Sequence, residues 1–351
     1  MLSRALGVKM QIIDGRKLDG IQYLRALAAF MVVVHHTLEM AMGAVSEVAP
    51  HWLILVGAAG VDIFFVISGF IMMYTSFKSI NSPTPLSFLK HRIIRIYPLY
   101  LLCLVVMLTV MAMGFLANHT PDVANIISSI FLFPDQDRII FVAWTLEYEI
   151  YFYLVFSITL LLKKPLASVL ATGIILIFAF MLSVSLDGND MGWFFENPVL
   201  FEFVLGMVLA YLYLKCGLNG FHYAIMLAAF AVIIASPFFV VFSSTIGLNG
   251  WDRFLWWGLP SFFICGGMLR GVVNARPLHK ILMLLGDSSY SLYLTHIFWM
   301  AFYGLLFKVT DIGSYNQVPF VIAILFACYI TSFFSYQLFE KPVLKRVRKW
   351  I

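Results

Sequence analysis

The chain has 351 residues, 62% of them hydrophobic and only 12% charged, with a mean hydropathy of +0.93. Soluble domains carry about a quarter charged residues, so this composition excludes an ordinary soluble fold and identifies an integral membrane protein. The net charge of +5 implies no nucleic-acid partner, because the excess follows the membrane topology.

Ten apolar spans are predicted, at about 21–43, 52–76, 92–117, 142–162, 166–186, 197–214, 221–242, 253–270, 285–307 and 317–340. Each is long enough for a helix, which excludes a β-barrel of short alternating strands. The connecting segments alternate in charge. Arg4, Lys9, Arg16 and Lys17, then Lys78, Lys90 and Arg92, then Lys163 and Lys164, Lys215, Arg270, Arg276 and Lys280 fall on one side. Lys341, Lys345, Arg346, Arg348 and Lys349 join them, whereas Glu47, Asp122, Asp135, Asp137, Asp187, Asp190, Glu196, Asp252 and Asp311 fall on the other. Positive residues stay on the cytoplasmic side, which places both termini there, and the even span count agrees. The expected architecture is an all-α polytopic membrane helix bundle of about ten transmembrane helices. Residues 1–351 are read as a single domain, with no cleavable signal and no separate soluble domain. Cys103, Cys216, Cys265 and Cys328 stand singly in apolar segments without CxxC spacing, so they read as small hydrophobes, and no metal is expected. In the longest outer loop, 118–141, the stretch Ile126 to Phe133 suits a short interfacial helix, and the basic tail from Lys345 to Lys349 suits an anionic leaflet.

Polar residues inside the spans are the site candidates, because ionisable groups in lipid are costly and usually functional. In the first span Arg25 and His36 are eleven residues apart. Eleven steps of about 100° nearly close three turns, so both lie on one stripe, roughly 16 Å apart along the axis. A cation low in the membrane and an imidazole above it suit the two ends of one long ligand. His35 falls off that stripe and reads best as satisfying a neighbouring carbonyl. Asp62 in the second span lies near mid-depth and is expected to pair with His36, leaving the other imidazole nitrogen free as a base; the plainer reading is a pair that fixes helix packing. Arg92 and Arg95 open the third span three residues apart, on one face, and suit either forked contacts to a polyanion or snorkelling. With Arg25 at similar depth, an anion among the three relieves their repulsion. There is no GxxxxGK[ST] loop and no GxGxxG turn, so a phosphate here would rest on side chains. In the fourth span Glu149, with Trp144 and Tyr153, suits a sugar acceptor near the outer surface, the aromatics reading equally as an interfacial belt. Glu202 is a further intramembrane carboxylate with no evident partner. The ninth span carries Ser288, Ser289, Ser291, Thr295 and His296, which suit a polar, watered interior and read equally as hydrogen bonds between helices; Pro342 is expected to end the last span, and Glu340 to hold a cytoplasmic arginine.

These residues together resemble the acyltransferase-3 family of multi-span membrane acyltransferases. Arg25 and His36 fit its Arg-ten-residues-His signature, and Gly60-Val61-Asp62-Ile63-Phe64-Phe65-Val66-Ile67-Ser68-Gly69-Phe70 is similar to its second-helix motif. His91-Arg92 with Arg95, Trp144-Thr145-Leu146 with Glu149, Ser289 to His296, and Phe339-Glu340-Lys341-Pro342 resemble the remaining motifs in order. The whole most resembles bacterial exopolysaccharide O-acetyltransferases in the cytoplasmic (inner) membrane. The resemblance implies transfer of an acyl group, usually acetyl, from cytoplasmic acetyl-CoA to a glycan or lipid-linked oligosaccharide, in company with polysaccharide biosynthesis machinery. Arg25, Arg92 and Arg95 would hold the CoA phosphates. The pantetheine arm would rise between the helices to His36, the general base, with Asp62 orienting it, and Trp144, Glu149, Tyr153 and His296 would meet the acceptor. A proton-coupled secondary transporter of a small polar or anionic solute is the rival from another class; its mark, paired helix-broken halves, is not found.

Overall fold

The computed structural model describes residues 18–40, 50–79, 82–115, 121–186, 191–240, 248–270, 276–310 and 315–347. Among the topology markers, Arg4, Lys9, Arg16, Lys17, Glu47, Asp187, Asp190, Asp311, Arg348 and Lys349 lie outside these residues. No strand occurs among the described residues. Eight helical segments are long and apolar enough to cross a membrane, and Tyr223–Phe239 is a shorter apolar helix. The protein is an all-α, multi-pass membrane helix bundle.

The helices in chain order are α1 (Asp19–Met40), α2 (His51–Gly57), α3 (Gly60–Phe77), α4 (Pro85–Ala112), α5 (Val123–Phe131) and α6 (Trp144–Thr159). Next come α7 (Pro165–Ser185), α8 (Gly192–Phe195), α9 (Leu200–Lys215) and α10 (Tyr223–Phe239). The span expected at 253–270 is α11, built as Gly250–Arg253, a π turn at Phe254–Gly258, and Leu259–Met268. Then follow α12 (Arg276–Asp287), α13 (Ser289–Val309) and α14, which runs Val318–Phe334, widens to a π turn at Ser335–Glu340 and continues as Lys341–Val347.

Burial separates core from rim. Of the most apolar 18 residues of the α2–α3 segment 83% are buried, and this segment forms the axis, whereas in the α14 segment the share is 22% and the helix lies at the periphery. At the axis, α3 meets α9 at backbone contact. A Cβ on Gly206 would stand 2.1 Å from the Val66 carbonyl oxygen, and one on Gly69 would stand 2.0 Å from that of Phe203. Glycine is required at both positions because any side chain would push the helices apart.

Three elements depart from expectation. α4 starts at Pro85 rather than near 92, because Thr84 accepts from the Ser87 N–H (3.3 Å) and proline fills the first turn. Pro342 does not end the last helix: the π turn before it absorbs the lost backbone donor, and helix continues to Val347. Finally, α5 does not lie flat at the end of α4 but folds back along it. The Tyr97 and Tyr100 hydroxyls donate to the carbonyls of Phe131 (3.1 Å) and Ser129 (2.6 Å). Tyr97 lies about 22 Å short of the Ala112 end of α4 at 1.5 Å per residue. At such depth the last carbonyls of a short helix need protein donors, and the two tyrosines supply them.

Candidate active site

A cavity of about 1120 Å³ opens among α1, α3, α4, α6 and the α12–α13 corner. Arg25, Arg92 and Arg95 all line it, as expected from the sequence, and Lys78 adds a fourth cation. Arg25 Nη1 donates to Gln22 Oε1 at 3.1 Å, and Gln22 Nε2 donates to Asp287 Oδ1 at 3.2 Å. Arg95 donates to Glu340, whose other oxygen accepts from Ser291 Oγ at 2.5 Å, and the Arg95 guanidinium lies 5.5 Å from the Tyr290 ring. Glu340 thus holds an arginine, as the sequence suggested. Guanidinium has five donors, so one carboxylate leaves Arg95 others for a phosphate.

Glu149 and Tyr153 line this same cavity. Glu149 Oε1 accepts from Ser68 Oγ at 2.7 Å and from the Tyr153 hydroxyl. The sequence placed both near the outer surface with Trp144; the structure instead groups them with the guanidinium cluster. Trp144 is not a lining residue. Its ring stands 5.4 Å from the Arg253 guanidinium, which lies as close to Trp257 on another side.

The expected Asp62–His36 pair does not form. Asp62 is fully buried, and its two oxygens accept from Arg253 Nε and Nη2, each at 2.9 Å. A forked guanidinium satisfies a buried carboxylate better than an imidazole does, because it matches both oxygens and keeps its charge. Glu202 is also fully buried, and a Cβ on Gly258, in the adjoining π turn, would stand 2.5 Å from its Oε1. Arg253 was missed because it opens span eight, where it reads as a flanking charge. The signal lay in Asp62 and Glu202 themselves: two carboxylates inside the bundle require a cation among them.

His36 has a different carboxylate. Its Nδ1 stands 3.3 Å from Glu39 Oε2, one turn along α1, a spacing legible in the sequence but unused. The side chain is 16% exposed and stands edge-on to Phe141, itself 54% exposed. His296 stacks on it, with ring centroids 5.4 Å apart, so His296 belongs beside the base candidate rather than with Glu149 and Tyr153. His35 Nδ1 donates to the Ile54 carbonyl at 2.7 Å, the role its position suggested. A second buried ion pair, Arg138 to Glu147 at 2.7 and 2.9 Å, lies off the cavity with Arg138 over the Trp193 ring, and the sequence reading did not find it.

His36 does not line the cavity, whereas Phe64, Thr145 and Tyr293 do. The Tyr293 hydroxyl is tied to Thr145 Oγ1 and the Val142 carbonyl, each at 2.8 Å, and its ring lies 6.0 Å from that of His296. The open passage expected from guanidiniums to imidazole is not seen: His36 is absent from the cavity wall, and the contacts from Tyr293 on that wall reach it through the His296 ring.

A cation-lined cavity and, outside it, a histidine–carboxylate pair inside a helix bundle define a multi-pass membrane protein with two neighbouring polar sites. Residues 18–337 match the acyltransferase-3 profile, described as an acyltransferase domain, and the chain belongs to that family. It is 29% identical to the exopolysaccharide production protein ExoZ of Rhizobium meliloti, over 84% of this chain and 91% of that protein. It is 25% identical to the O-acetyltransferase OatA of Staphylococcus aureus, over 94% of this chain but only 58% of the longer relative. No solved structure matches.

Proposed function

We propose that this chain transfers an acetyl group from acetyl-CoA to a hydroxyl of an exopolysaccharide or its lipid-linked precursor, across a bacterial inner membrane with both termini cytoplasmic. The observation that supports this reading is the cavity with Arg25, Arg92 and Arg95 on its wall, one of whose lining residues, Tyr293, meets His296, which stacks on His36. Arginine forks suit the 3′-phosphate and diphosphate of CoA. Glu39 accepts from His36 Nδ1–H, which leaves Nε2 with its lone pair as the base. Nε2 takes the acceptor hydroxyl proton as that oxygen attacks the thioester carbonyl. The C–S bond then breaks, and the departing thiolate takes the proton back from the imidazolium, giving ester and free CoA thiol. For the carbonyl to reach His36, the Tyr293 hydroxyl leaves Thr145 and Val142. Asp62, held by Arg253, takes no part. Membership of an acyltransferase family favours this reading over the transporter.

The test compares surface polysaccharide, by mass spectrometry, from cells with the native protein and with His36→Ala. The variant is expected to insert normally and to lose acetylation by at least about 100-fold, as removal of a general base costs. Undiminished acetylation would remove His36 from the reaction.

A further inference from the structure

We propose that His35, His36 and Glu39 form a binding site for a divalent transition-metal ion of the zinc class, and that filling it silences the base. One ligand atom from each lies within 4.8 Å of the others. The Ile54 carbonyl only accepts, so His35 donates from Nδ1, and its Nε2 carries a lone pair. That lone pair faces Glu39 Oε2 at 3.8 Å, and His36 Nδ1 stands 3.3 Å from the same oxygen. Ligand atoms about 2.1 Å from a tetrahedral zinc are separated by about 3.4 Å, so two edges of the site nearly have that length and the third closes by a modest side-chain turn. A histidine that gives its other N–H to a backbone carbonyl is oriented as metal-bound histidines are, with ring and tautomer fixed. Two imidazoles and a carboxylate suit zinc, cobalt or nickel rather than magnesium or calcium, and leave a fourth position open. A separate observation points to polar company there. His296, stacked on His36, has a buried Nε2 with no hydrogen-bond partner among the described residues.

The consequence for transfer rests on the proposed function; the metal site does not. A bound ion takes the Nδ1 lone pair of His36, so the ring's proton moves to Nε2, and the nitrogen assigned as base becomes a donor. Metal and proton acceptance are then mutually exclusive.

The test is a Co²⁺ titration of the purified, tag-free full-length protein, with Cys216, the exposed cysteine, changed by Cys216→Ser. Four-coordinate Co²⁺ absorbs visibly, and the band is expected to saturate at one ion per chain and to vanish when Zn²⁺ is added. His35→Asn keeps a donor for Ile54 but lacks the Nε2 ligand, and is expected to raise the dissociation constant at least about tenfold. Glu39→Gln, at the end of α1, provides a second variant with the same expected loss should His35→Asn fail to fold. Absence of the band, or an unchanged titration in both variants, would overturn the site. Zn²⁺ is further expected to inhibit acetyl transfer in the native protein and not in His35→Asn; stimulation by Zn²⁺ would overturn the exclusion of the base. A protein with no transfer activity would defeat the functional reading while the cobalt spectrum still decides the site.

Discussion

Arg253 is the residue whose removal separates structure from catalysis most cleanly. Its guanidinium matches both oxygens of the fully buried Asp62 at 2.9 Å and rests between Trp144 and Trp257. Arg253→Met leaves an uncompensated buried carboxylate, and a loss of about 3–5 kcal/mol is expected. Replacing both partners, Asp62→Leu with Arg253→Met, is expected to recover most of it, read as thermal unfolding of the purified protein in detergent. An equal loss in the double variant would show that the two residues act independently. Sequence reasoning found Asp62 by its depth but assigned the wrong partner, because sequence position orders residues along helices and says little about which helices touch. His36 and Glu39 needed no such knowledge: three residues on one helix fix their proximity.

Elements show the same division. The α3–α9 crossing depends on Gly69 and Gly206, and Gly206→Val places methyl groups where the Val66 carbonyl already stands. The expected destabilisation is at least about 2 kcal/mol by unfolding in detergent, as overpacking a close contact costs. The turn after α5 depends on Asp135. Burial pushes its carboxyl up, but donation from Ser128 Oγ (2.6 Å), Asn125 Nδ2 (3.2 Å) and the Asp137 N–H outweighs this and holds it below the usual range. A carboxyl lowered by folding stabilises above its unfolded value, about 3.9, and loses that contribution as pH falls through the folded value. Hydrogen exchange of the α5 amides is therefore expected to rise relative to the bundle below about pH 4, and Asp135→Asn to remove the pH dependence. The presence of many apolar spans was legible from hydropathy alone, although ten were expected and, among the described residues, eight segments are long and apolar enough to cross a membrane. The π turns, the descent of α5 and the early start of α4 were not, since each is set by local hydrogen bonds that hydropathy does not register.

At the scale of the whole molecule, the cavity gathers its arginines from two helices, Arg25 from α1 and Arg92 and Arg95 from α4, which α2 and α3 separate in the chain. Arg92→Ala combined with Arg95→Lys keeps a charge for Glu340 but removes both forks. Acetyl-CoA affinity, measured by calorimetry, is expected to fall at least about tenfold, one lost charge-assisted contact being enough for that. Unchanged affinity would reduce these arginines to markers of topology. The cluster could be foreseen because Arg25, Arg92 and Arg95 each open a span on the same side; its sharing of one chamber with Glu149 could not, because that depends on how α6 leans against α3.

Tyr293, on the chamber wall, also bears on the energy economy of the cell. A wide water-filled shaft joining the two faces would short-circuit the membrane potential, each unit of charge crossing 100 mV dissipating about 2.3 kcal/mol. On the function proposed above, Tyr293 fastened to Thr145 and Val142 would let a large anion enter from one face while the bundle stayed an electrical insulator.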